Sequence, residues 1–135
     1  MQPVHINPVA FIVAVVAKFI IGWAWFSPIL FLKPWQQLSG VTDEQMSGGM
    51  GKSITLWVIG SVLMAFILVH AVRYAGATTA AQGAAVGFLN WLGFVFVIIL
   101  EEYAATKYSF KLVAIKTGGY LVELVVMGVI FAVWV

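Results

Sequence analysis

The stretch Gly22-Trp23-Ala24-Trp25-Phe26-Ser27-Pro28-Ile29-Leu30-Phe31-Leu32-Lys33-Pro34-Trp35 decides how the rest of the chain is read. It closes a long apolar run, turns on two prolines and places three of the six tryptophans within thirteen residues. An indole is apolar in body and polar at its N–H, so tryptophans crowded against an apolar run mark the boundary between lipid tails and water. Trp23, Trp25, Phe26, Pro28, Phe31 and Trp35 are therefore read as an interfacial aromatic anchor. Pro28 pushes Ser27 toward extended geometry and ends the first helix near Phe26. Residues 29–33 are expected to form a short helical turn before Pro34, lying in the interface with Phe31 and Trp35 dipping inward.

Upstream, the apolar run reaches back to Asn7 and Pro8, an N-cap followed by proline at the first helical position, where its missing N–H costs nothing. Residues 1–8 lack the positive n-region of a secretory signal, so this run is expected to stay in the mature protein. Downstream, three more runs match the roughly 20 residues that a helix rising about 1.5 Å per residue needs to cross a core of about 30 Å. The spans are expected at about 7–27, 53–73, 80–100 and 112–134. Their short separations predict antiparallel neighbours: one all-α domain over residues 1–135, a polytopic membrane bundle of four transmembrane helices with an interfacial turn after the first.

Composition agrees with that reading. Of 135 residues, 63% are hydrophobic and 9% charged, against roughly 25% charged in a soluble domain. A water-soluble fold of about 150 residues leaves roughly 30% of its unfolded surface exposed, which is too much for such a chain. The net charge of +2 comes from cations standing singly at the ends of apolar runs, so they are topology signals rather than a nucleic-acid footprint. The absence of cysteine excludes disulfides and thiolate chemistry.

Asn7 at the head of the first span, then Gly22-x-x-Trp25-Phe26-Ser27-Pro28-x-Leu30-Phe31 and Trp35, resembles the N-terminal signature of small bacterial membrane proteins grouped as domain of unknown function 1761. The family pattern has tyrosine at the position of Phe26 and glycine at that of Leu32. The resemblance implies a four-helix integral protein of the bacterial cytoplasmic (inner) membrane and carries no activity with it.

Chemistry concentrates on two charges inside the spans. Lys18 lies eleven residues into the first span and Glu123 about eleven into the fourth, so both fall near mid-membrane. A charge there costs at least about 2.5–3.5 kcal/mol on insertion scales, so each is the other's obvious partner. Asn90, mid-span in the third helix, completes a candidate intramembrane polar cluster of Lys18, Asn90 and Glu123. The pair is either a bridge that fixes which helices touch or a proton- or ion-responsive site. Gly22 and Gly119 share faces with Lys18 and Glu123, while Gly83 and Gly87 lead a stripe through Asn90, Phe94, Val97 and Glu101, so these glycines are candidate helix-packing positions.

Other motifs carry less. Residues 46–53 imitate the tail of a phosphate-binding loop but have Met46 where glycine is required and no preceding strand, so no nucleotide is expected. His5 and His70 lack acidic neighbours, so no metal is expected. Glu101 and Glu102, with Lys107 and Lys111, read as a solvated cap, and Ser27 and Ser53 have no histidine–acid partners. No cofactor, catalytic residue or nucleic-acid partner is expected.

Two function classes follow. One is a non-enzymatic component that packs as a homo-oligomer or as an accessory subunit of a larger membrane complex. The other is a small ion- or proton-coupled transporter or channel using the polar cluster. Lys33, Lys52, Lys107 and Lys111, with Lys116 just inside the last span, lie on one side, against Arg73 and the terminal amine on the other. The positive-inside bias then puts loops 28–52 and 101–111 in the cytoplasm and both termini outside.

Overall fold

The computed structural model describes residues 2–107 and 109–135; Met1 and Tyr108 lie outside the described residues. Helix α1 spans Pro8–Trp25 and is capped by Asn7, whose Oδ1 accepts from the amides of Val9 and Ala10 at 2.9 and 3.2 Å. Its buried residues, Ala10, Ala14, Lys18 and Gly22, recur every fourth position and form one narrow inward face.

Past Trp25 the chain makes a turn over 26–31, with the Leu30 and Leu32 amides both donating to the Ser27 carbonyl at 3.0 and 3.2 Å. The short helix α2, Leu32–Ser39, starts only then, so the helical turn expected before Pro34 instead contains it. Pro34 is tolerated because it falls in the first turn, where backbone N–H groups have no partner within the helix. Gly40 at φ 76° closes α2 in the left-handed conformation. Helix α3, Asp43–Gly48, opens on a reciprocal capping box between Thr42 and Gln45.

Helix α4 spans Met50–Tyr74, with Gly51 in its first turn. Its end is a Schellman motif: Gly76 takes φ 66°, Ala77 N–H donates to the Val72 carbonyl, and Ala77 is buried. Thr79 and Gln82 then form a second capping box for α5, Ala80–Trp91. A π-helical segment, Leu92–Phe96, joins α5 to α6, Val97–Ala105, and α7 follows at Phe110–Val133.

The π turn overturns the single stripe expected on the third span. Gly83 and Gly87 are buried and Asn90 half-buried, but Phe94 is 72% exposed and Val97 and Glu101 face outward. Within the turn and beyond it the half-buried positions are Val95, Phe96, Ile99, Leu100 and Tyr103. A π turn takes an extra residue, so the register slips by one and the stripe rotates off the contact.

Four stretches, Pro8–Trp25, Met50–Tyr74, Ala80–Ala105 and Phe110–Val133, are long and apolar enough to cross a membrane, and the chain is a multi-pass membrane protein. Helix α7 is the hub, with 44% of its most apolar window buried against 17–22% in the other three. Contacts climb one helix as they descend its neighbour. Phe11 meets Phe131 and Trp25 meets Ile115 across α1 and α7, while Gly83 meets Gly128 and Gly87 meets Leu124 across α5 and α7. The apolar core, built on Ala14, Ala65, Leu68, Val72, Met127 and Phe131, fills the half of the bundle nearest the termini. Asn7 Nδ2 donating to the Val135 carbonyl and Arg73 donating to that of Trp134 tie this end together.

Candidate functional site

Lys18 is the eleventh residue of α1, and Glu123 is the eleventh counted back from the end of α7. At 1.5 Å per residue each stands about 15 Å from the end of the bundle that carries the termini. Lys18 Nζ lies 3.2 Å from Glu123 Oε2, and the two side chains are only 2% and 4% exposed. Gly22, one turn beyond Lys18, makes the pairing possible. A Cβ there would stand 2.5 Å from the Trp57 ring and 2.8 Å from Glu123 Oε1, so the missing side chain is the room that the indole and the carboxylate fill. Glu123 Oε2 has the lysine charge beside it but no hydrogen-bond donor in good geometry.

The pair is not sealed on every side. A cleft of about 660 Å³ runs among α2, α3, α4, α6 and α7, with Glu123 among its lining residues. Glu102 and Ser53, both exposed, lie toward its outer end, and Phe26, Trp35, Trp57 and Tyr120 supply aromatic wall. Lys116 also lines it, seven residues before Glu123, so the carboxylate lies about 10 Å deeper along α7.

Asn90 does not join the charged pair. Its Nδ2 donates to the Val86 carbonyl of its own helix at 2.8 Å, and it lines a separate apolar groove of about 550 Å³ between α4 and the third span, with Met64, Leu68 and Phe94. Asn90 and Glu123 line different spaces, and the amide is satisfied locally.

The aromatic anchor divides. Trp23 is 65% exposed and Pro28 is exposed. Trp25 instead turns inward across Gly118 and Gly119, where added Cβ atoms would stand 2.9 and 3.0 Å from its ring, and its Nε1–H donates to the Ile115 carbonyl at 2.9 Å. Phe31 packs on Trp25 and Trp35 on Phe26, with ring centroids 4.6 and 5.7 Å apart. The other glycine positions mark the α5–α7 contact: a Cβ on Gly83 would strike the Gly128 carbonyl, and one on Gly87 the Leu124 carbonyl.

Trp57, Gly118 and Gly128 escape the sequence reading. Trp57 carries a usable signal, since it sits eight residues into a span and away from any chain-end tryptophan belt. At the opposite end, Tyr74 O–H donates to the Gln2 carbonyl at 3.3 Å and His70 stacks between Phe66 and Tyr74. Among the described residues, no three of His, Cys, Asp and Glu come together as a metal site.

The model of a family described as Protein of unknown function (DUF1761) matches residues 9–132. The chain belongs to the DUF1761 family. No curated protein and no solved structure matches it. In this DUF1761 member the matched region contains the ion pair, Gly22, Trp57 and every residue lining the cleft.

Proposed function

We propose that this protein is a non-enzymatic carrier of the bacterial cytoplasmic membrane that couples to a proton or ion at the Lys18–Glu123 pair. The cleft that reaches Glu123 carries the reading, because a bridge serving only to register two helices needs no access from outside. The charged and titratable groups facing Glu123 are Lys18 from α1, Glu102 from α6, and Lys116 and Tyr120 from α7; the lining positions of α2, α3 and α4 carry none. Binding or loss of one positive charge at Glu123 therefore changes the balance of a small, mostly apolar site. The lysines at 33, 52, 107 and 111 support a cytoplasmic mouth and external termini.

Purified protein in liposomes loaded with a pH-sensitive dye tests the reading. Proton flux under an imposed gradient is expected, and Glu123→Gln is expected to abolish it. Flux equal to that of empty liposomes, or undiminished in the variant, would remove the coupling role. A C-terminal periplasmic reporter should be active, and a cytoplasmic C-terminus would reverse the assigned mouth.

The apolar groove between α4 and the third span favours a second reading, a subunit that packs with its own copies or with a larger complex. Native mass spectrometry from mild detergent tests it: a stoichiometric assembly supports the subunit role, and a monomer that still conducts protons rejects it.

A further inference from the structure

We propose that the cleft holds a lipophilic organic cation, with Glu123 as counter-charge at its floor and aromatic faces as its walls; this names the solute for the carrier reading above and rests on it. The volume of about 660 Å³ lies within the roughly 300–1,000 Å³ of small-molecule sites. Phe26, Trp35, Trp57 and Tyr120 reach the cleft from four different parts of the chain, and an aromatic face attracts a cation that has left water behind. Glu102 stands toward the outer end and Glu123, paired with Lys18, at depth, so a carboxylate stands at each end of the path.

The alternatives fit less well. An anion would meet two carboxylates and the negative faces of the rings, and Lys116, the one cation among the lining residues, is already engaged within the protein. A bare metal cation needs about six oxygen ligands, whereas the lining is dominated by carbon. A neutral acyl chain would leave a buried carboxylate facing hydrocarbon. Glu123 Oε2, nearly buried and beside the Lys18 ammonium at 3.2 Å but without a donor in good hydrogen-bond geometry, is the atom such a cation would approach, sharing or replacing that ammonium.

Tetraphenylphosphonium and tetraphenylborate have nearly the same shape and opposite charge, which makes them the discriminating probes. Equilibrium dialysis with the full chain in detergent should show saturable phosphonium binding, with quenching of tryptophan fluorescence, and at least about tenfold weaker borate binding. Glu123→Gln and Trp57→Leu should each weaken phosphonium binding about tenfold or more, and Trp57→Phe, which keeps an aromatic face, only slightly. Equal binding of the two ions to the wild-type chain overturns the proposal whether or not the variants fold, as does full phosphonium binding by a folded Glu123→Gln. Proton flux without phosphonium binding overturns this inference and leaves the carrier reading standing. Glu123-dependent phosphonium binding without flux supports the site and rejects the coupling.

Discussion

Helix α7 meets its two main neighbours by opposite means. Toward α5 it interposes little: Gly83 and Gly87 face Gly128 and the Leu124 backbone, main chains approach until added methyls would strike carbonyl oxygens, and one indole N–H, that of Trp91, donates to the Thr117 carbonyl at 2.7 Å. Toward α1 it interposes a great deal, with a lysine, a glutamate and the Trp25 indole lodged against glycines that make room for them. The first contact is held mainly by dispersion between surfaces that fit, a chief source of helix association where lipid is as apolar as the protein, with the Trp91 hydrogen bond added at one end. The second depends on charge and hydrogen bonds strengthened by low dielectric, and it is the one beside the cleft. A tightly fitted contact specifies the fold, while a polar one can also respond to a ligand.

Substitutions can break that contrast in order of size. Lys18→Met or Glu123→Leu alone strands a buried charge and is expected to lower stability by about 3–5 kcal/mol, while the double variant recovers most of the loss. A double-mutant cycle on unfolding in detergent measures this, and additive losses would mean that the pair does not interact. Gly87→Leu drives side-chain atoms into the Leu124 backbone, so a loss at or above the upper end of the usual 1–3 kcal/mol for overpacking is expected. Leu89→Ala, at a position 62% exposed, should change stability by no more than about 0.5 kcal/mol. If both changes are equally silent, the glycine contact is not what holds the third span. Trp25→Phe should cost least among the buried changes, about 1 kcal/mol for the lost bond to the Ile115 carbonyl. Thermal unfolding should rank it below Gly87→Leu, and the reverse order would place the greater share of specificity on the polar contact.

The sequence makes the spans legible because apolar run length is a direct readout of the bilayer, and Asn7, Pro8, Thr42 and Gln45 mark helix starts by local hydrogen bonding alone. The Thr79–Gln82 box is written just as plainly. Lys18 and Glu123 can be matched on depth, because few charges are available to compensate each other inside lipid. The fate of Asn90 is not legible that way: an amide can satisfy itself on its own helix, so mid-span placement does not oblige it to find a distant partner. Nor does the spacing of glycines announce the cleft. That space depends on how α2 and α3 fold back over the bundle and on where Trp57 and Tyr120 direct their rings, which are tertiary outcomes.

The π turn at Leu92–Phe96 makes the third span two rods joined at a fixed twist. Its upper rod is clamped to α7 by glycines, and its lower rod brings Ile99 and Glu102 to the cleft. Each residue of an α-helix turns the following chain by about 100°. Removing one residue from within the π turn would take out the extra residue it accommodates and leave Glu102 facing the cleft, whereas removing one from the regular winding of α6 before Glu102 would swing it away, with the glycine clamp untouched. The length of this span, counted to the residue, therefore encodes the orientation of one wall of the cleft, and a deletion of one outside the π turn can rewire that wall where a substitution would only trim it.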